Sequence, residues 1–238
     1  MRIILKEVEV LMLMVLAAVV VGCHKPDVPN NGNNVVVVEP HDYVDLGLPS
    51  GTLWATCNIG AEKPEDYGDY FAWGEIKSKE SYSWSNYKYG DFVDNRYEMT
   101  KYCTDAHWGV NGFFDGKTVL DAVDDAARAN WGDDWRMPTK EDWRELYLKT
   151  TCTWTELNGV KGELLTSWNG NSIFLPATGC HMDEVLDSTV VGIYWTSSLQ
   201  TDLQMIAWSF HFTLDCCHVC GSYERNRGQV IRAVRSKR

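Results

Sequence analysis

Apolar and polar positions change rhythm several times along the 238 residues. Every position from Val10 to Val21 is apolar, with Arg2 and Lys6 ahead of the run. A membrane span needs about 20 such residues, so this shorter run reads as the apolar part of a secretory signal segment. Residues 24–40, "HKPDVPNNGNNVVVVEP", begin with Pro, Asn and Gly and predict a flexible or extended linker. A folded domain is then expected from His41. Residues 43–60 predict two short strands around a Leu48-Pro49-Ser50-Gly51 turn. Residues 77–116 are rich in Ser, Tyr, Gly, Asp and Asn without a period, and predict long surface loops with short strands. Leu120, Val123, Ala126 and Ala127 fall at helical spacing and predict a helix from Val119 to about Asn130. Thr139-x-x-Asp142 has the form of a capping box and opens a second helix, with Trp143, Leu146 and Tyr147 as its buried face.

From Thr151 the pattern is that of strands. "TCTWTEL", "GELLTSW" and "NSIFLPA" are separated by Asn158-Gly159 and Asn169-Gly170, the strongest short-range hairpin signal. Residues 192–198, 206–212 and 230–235 complete the set. Between Ala207 and Thr213, the aromatics Trp208, Phe210 and Phe212 alternate with Ser209, His211 and Thr213. A period of two predicts aromatics toward the core and polar residues outward. The expected class is α+β, with two helices and mostly antiparallel sheets in one domain.

Composition narrows the function classes. Hydrophobic residues make up 45% of the chain, enough for a true core. The net charge is −11, with 22 basic against 33 acidic side chains, and the only basic run is Arg235-Ser236-Lys237-Arg238. That balance argues against nucleic acid or an anionic membrane surface as a partner. There is no Gly-x-Ser-x-Gly, phosphate-loop or dinucleotide pattern, and no histidine has a sequence neighbour that nominates it as a base. Glu65, Asp66, Asp69 and Glu75 read as a solvated acidic loop rather than a cation site. Cys217-x-x-Cys220 has metal or redox spacing, but it stands alone, and an exported thiolate oxidises. No catalytic residue, metal centre or cofactor is therefore expected.

Two resemblances add to this reading. Val20-Val21-Gly22-Cys23 resembles a bacterial lipobox, which implies cleavage before Cys23 and lipidation of its thiol. The organisation becomes a signal peptide over 1–22, a linker over 23–40 and a folded domain over 41–238. The stretches "YVDLGLPSGTLWATCNIGA", "YGDYFAWGE", "WGDDWRMPTKEDWREL", "NGNSIFLPATG", "YWTSSL" and "GQVIRAVR" resemble the Fibrobacter succinogenes major paralogous domain over roughly residues 41–236. The resemblance implies a C-type-lectin-like fold, shared at clan level with the formylglycine-generating enzymes, in an outer-membrane lipoprotein of a Bacteroides-type bacterium. It implies no single activity, because that fold hosts sugar binders, protein binders and enzymes. The Glu-Pro-Asn, Gln-Pro-Asp and Trp-Asn-Asp triplets of calcium-dependent lectins are absent. Trp54, Trp73, Trp131, Trp135, Trp143 and Trp195 lie within the matched motifs, and they and Trp208 are expected in the core. Trp84, Trp108, Trp154 and Trp168 lie in or near loops, where an indole can stack on a sugar ring.

The segment "DCCHVCGSYERNRG" (215–228) has no folding period and reads as a surface loop. It resembles the C-terminal variable region of target proteins of diversity-generating retroelements. Ser209, His211, Thr213, Cys216, His218, Cys220, Gly221, Ser222, Tyr223 and Asn226 are the positions that match, and they are the candidate ligand contacts. Glu224 and Gln229 would be fixed. The expected function is recognition of, or adhesion to, an unknown protein or carbohydrate. The alternatives are an enzyme of the formylglycine-generating or glycan-acting type and a structural cell-envelope lipoprotein.

Overall fold

A computed structural model describes residues 41–187, 190–214 and 216–237, with the backbone alone for 216–220. In chain order the elements begin with strands β1 (Tyr43–Val44), β2 (Thr52–Ala55), β3 (Gly90–Val93) and β4 (Arg96–Met99). Helices α1 (Ala126–Trp131) and α2 (Lys140–Lys149) follow. Then come β5 (Thr150–Leu157), β6 (Val160–Ser167), β7 (Ser172–Pro176), β8 (Cys180–Met182) and β9 (Val185–Asp187). The chain ends with β10 (Gly192–Leu199), β11 (Ile206–Thr213), β12 (Cys216–Glu224) and β13 (Val234–Ser236). Short 3₁₀ turns occupy 84–86, 106–108, 110–112 and 122–124. The fold is thus rich in antiparallel sheet and carries two helices. Among the described residues no helix is long and apolar enough to cross a membrane.

The three-stranded sheets have the orders β1-β2-β13, β5-β6-β7 and β10-β11-β12, and β3-β4 and β8-β9 form hairpins. Trp54 of β2 pairs with Val44 on one side and Val234 on the other, so the end of the domain closes on its beginning. Asn158 and Gly159 both have positive φ, 50° and 86°, the backbone that a two-residue primed turn requires. At the second Asn-Gly only Gly170 is left-handed; Gly170 N–H donates to Ser167 O, and Ser167 N–H closes a longer loop on Asn171 O.

The helix expected over 119–130 is shorter. Val119 forms a bridge with Ser198, and Leu120 N–H donates to Ser197 O, so this part of the chain is extended against β10. Asp125 then caps α1, accepting from the N–H groups of Ala127 and Arg128 at 2.9 and 3.1 Å. Local periodicity lost to a tertiary backbone pairing. The expected capping box of α2 is present: Thr139 Oγ1 accepts from Asp142 N–H at 3.2 Å, and Asp142 Oδ2 accepts from Thr139 N–H at 2.7 Å. The strand expected over 230–235 is confined to Val234–Ser236; before it Val230 bridges Tyr194, and Ile231 O and Ala233 O accept from the N–H groups of Ile59 and Ala55.

The sheet β10-β11-β12 is covered on both faces. On one face Tyr194, Phe210 and Phe212 pack with Trp54, Trp143 and Leu146. There the Trp143 and Phe210 rings stack at 4.4 Å with an interplanar angle of 6°. On the other face Trp195, Leu199 and Ala207 pack with Phe71, Trp73, Tyr82 and Ile231. Each large side chain buried this way contributes roughly 1.5–3 kcal/mol. Residues 77–116 are therefore only partly the surface loops that their composition predicts. Tyr82, Tyr87, Tyr89, Met99, Tyr102 and Cys103 are buried, while the tip of the β3-β4 hairpin (91–96) and residues 105–107 are exposed. Trp54, Trp73, Trp135, Trp143 and Trp195 lie in the core as expected. Trp131 and Trp208 are half-buried, and Trp168 is 81% exposed.

Candidate functional site

The residues singled out near the C-terminus lie on the β11-β12 hairpin, and the segment read as a loop is largely a strand. Its register pairs Ile206 with Glu224, Trp208 with Ser222, Ser209 with Gly221, His211 with His218 and Thr213 with Cys216. The one residue of β11 between Ser209 and His211 faces two of β12 between Gly221 and His218, so β12 carries a bulge. Backbone pairing with β11 builds this strand, and side-chain periodicity is not needed for it. That is why its composition conceals it. β12 is the edge strand of its sheet.

The candidates divide by burial. Ser209, expected outward, is fully buried, and its Oγ donates to Gln229 Oε1 at 2.8 Å. Gln229 is itself held by a two-way backbone pairing with Phe71. Alternation predicts an outward face only where the second face of the sheet is wet; here that face is covered. Asn226 is also buried, and its Nδ2 donates to Tyr82 O at 3.2 Å. Gly221 is buried, and a Cβ built there would sit 2.1 Å from His211 Nδ1. His211, Thr213 and Tyr223 are half-buried, and Ser222 is exposed. Cys216, His218 and Cys220 lie on β12, and their side chains fall outside the described residues. Cys23 lies outside the described residues as well. Trp208, expected in the core, instead has Lys140 Nζ over its ring at 3.4 Å from the centroid.

The lower end of β12 is locked by residues that sequence reasoning did not select. Arg225 is fully buried, and among the described residues no carboxylate pairs with it. Its guanidinium donates to the carbonyls of Lys101, Tyr102 and Gln204 at 2.9, 3.2 and 3.0 Å, and to Tyr87 Oη at 3.0 Å. It also lies over the Trp73 ring at 4.9 Å. A buried charge is tolerated only when its donors are satisfied in this way. Arg232 is held likewise by Asn58 Oδ1 and by the carbonyls of Ala55, Thr56 and Phe174. No sequence signal separates these arginines from exposed ones.

Beside Arg225, Glu224 gathers a half-buried polar cluster. It accepts from Tyr97 Oη at 3.0 Å, from Arg227 at 2.8 Å and from Trp84 Nε1 at 3.4 Å. Burial, with the Glu224 contact adding to it, pushes the Tyr97 hydroxyl up. The Tyr223 hydroxyl is pushed up by burial, with Cys180 and Asp187 of the β8-β9 hairpin contributing. Cys57, Cys103, Cys152 and Cys180 are free thiols.

A second polar constellation surrounds Asp124. This buried carboxylate accepts from Tyr89 Oη, from Tyr102 Oη at 2.6 Å, from Lys101 Nζ at 2.5 Å and from Lys88 Nζ at 3.3 Å. Burial pushes the Asp124 carboxyl up, and Lys101, Tyr102 and Tyr89 more than reverse this, leaving it at about 2. The acidic residues 65–75 do not converge: Glu65 accepts from Asn158, Asp66 from Lys63 N–H, and Glu75 from Lys79. Among the described residues no three His, Cys, Asp or Glu side chains come together as a metal site. No family model, curated protein or solved structure matches this chain.

Proposed function

We propose that the chain is an exported recognition protein, anchored to the outer membrane through a lipid on Cys23. In this reading a C-type-lectin-like domain binds a protein or glycan through its β11-β12 face. One observation carries the reading: an edge strand of irregular composition, β12, is mounted on a framework that is fixed from behind. Phe210 and Phe212 hold β11 against α2, and Arg225 ties the end of β12 to the loops at 87–102. Rigid support with a free outer edge is the general arrangement of recognition surfaces.

The contact set is narrower than the sequence implies. Ser209, Gly221 and Asn226 serve packing, which leaves His211, Thr213, Cys216, His218, Cys220, Ser222 and Tyr223 for a ligand. Sequencing codons 205–230 across isolates of the source organism tests the diversified form of this proposal. Substitutions are expected at Thr213, Cys216, His218, Cys220 and Ser222, with Ser209, Phe210, Phe212, Arg225 and Asn226 constant. A segment uniform across isolates, or one varying equally at buried and exposed positions, overturns it.

A further inference from the structure

A shallow groove of about 330 Å³ lies between the 3₁₀ turn at 84–86 and the β3-β4 hairpin. Its walls include Trp84, Ser85, Tyr87, Asp91, Glu98 and Thr100. The volume is at the lower end of the range for small-ligand sites, roughly 300–1,000 Å³. The indole of Trp84 is half-buried and is oriented on three sides. Tyr87 meets it edge-on at 5.4 Å, Tyr97 lies tilted at 5.0 Å, and its Nε1–H points to Glu224 of β12. Its position is therefore set before any ligand arrives, and it joins the groove to the end of the β12 edge.

Glu98 supplies the polar side. It is half-buried, and its carboxylate has no hydrogen-bond or ion-pair partner among the described residues. The one lysine in the wall, Lys88, is engaged by Asp124 at 3.3 Å and lies over the Tyr89 ring at 4.6 Å. The groove thus offers an aromatic surface, an acceptor with open lone pairs, and the hydroxyls of Ser85 and Thr100. Aromatic faces are electron-rich and attract the slightly positive hydrogens of C–H bonds. Hydroxyl donors to an ionised carboxylate make strong, short hydrogen bonds. A pyranose presents both at once, a C–H face and a rim of hydroxyls. Asp91, opposite Glu98 in the hairpin register, adds a second carboxylate acceptor for such hydroxyls.

We propose that this groove holds one neutral sugar residue of a glycan ligand. The inference deepens the recognition reading by naming the ligand class, and it rests on that reading only for its biological use. The test is saturation-transfer NMR on the full-length protein in detergent, with the methyl glycosides of glucose, galactose, mannose and N-acetylglucosamine. At least one is expected to bind with a Kd on the order of 1 mM. Glu98→Gln should weaken that binding at least fivefold, while Lys161→Ala, exposed on β6 in another sheet, should leave it within twofold. Matching thermal midpoints of the variants would show that folding is intact. Absence of transfer from all four glycosides, or equal transfer with Glu98→Gln, overturns the proposal. Displacement of a bound glycoside by tetramethylammonium would assign the groove to cations instead and also overturn it. None of these outcomes touches the isolate sequencing, so the groove and the β12 face fail or stand separately.

Discussion

At Asp124 two lysines and two tyrosine hydroxyls converge on one carboxylate, drawn from positions 88 to 102. Its carboxyl is held at about 2, below the ordinary carboxylate range. A depressed folded value means that the unfolded chain takes up the proton first as pH falls. The stabilisation is therefore complete above about pH 4 and is lost as pH falls toward 2, and it is on the order of 2 kcal/mol. Asp124→Asn should lower stability at pH 7 and flatten its dependence on pH between 4 and 2, measured by urea unfolding at each pH. An unchanged acid dependence would mean that the network contributes nothing net. Nothing in the sequence separates Asp124 from Asp121 or Asp125, because one residue of helical phase decides which of the three faces Tyr89 and Tyr102. Ser209 teaches the same lesson. Its place in an alternating strand was legible, but its burial depends on Gln229 and Phe71, which are distant in sequence.

Among the elements, those written in turn and cap chemistry were the most legible. The Asn158-Gly159 turn, the Thr139 capping box and the strands β5, β6, β10 and β11 follow from short-range rules. The shortened α1 and the hidden strand β12 do not, because backbone pairing, with β10 in the first case and with the neighbouring β11 in the second, determined both. Gly221 ties β12 to β11 in a way that can be measured. A Cβ at this position would sit 2.1 Å from His211 Nδ1, so Gly221→Ala must displace that ring. A loss of roughly 1–3 kcal/mol is expected in the wild-type background. It should shrink when His211→Ala is added, which a double-mutant cycle reads directly. Additive effects of the two substitutions would remove the steric coupling.

For the whole molecule, the proposed anchor makes a prediction separate from the fold. Cys23→Ala should abolish incorporation of labelled palmitate and move the protein from the membrane to the soluble fraction, with the thermal midpoint of the domain unchanged. Continued membrane association would remove the lipid-anchor reading. The compact unit spans Pro40–Arg238, and its two packed faces meet at the sheet β10-β11-β12. The sequence by itself determined the class, the Asn158-Gly159 hairpin, the second helix and most of the tryptophan core. Those depend on residue type, on period and on neighbours within a few positions. Only the tertiary structure decided which polar residues are buried. It turned Ser209 and Asn226 inward, enclosed Arg225 and Arg232 among carbonyls, and left Ser222 and the Trp84 groove open. Burial is a property of what packs on the far side of an element, and that partner comes from another part of the chain.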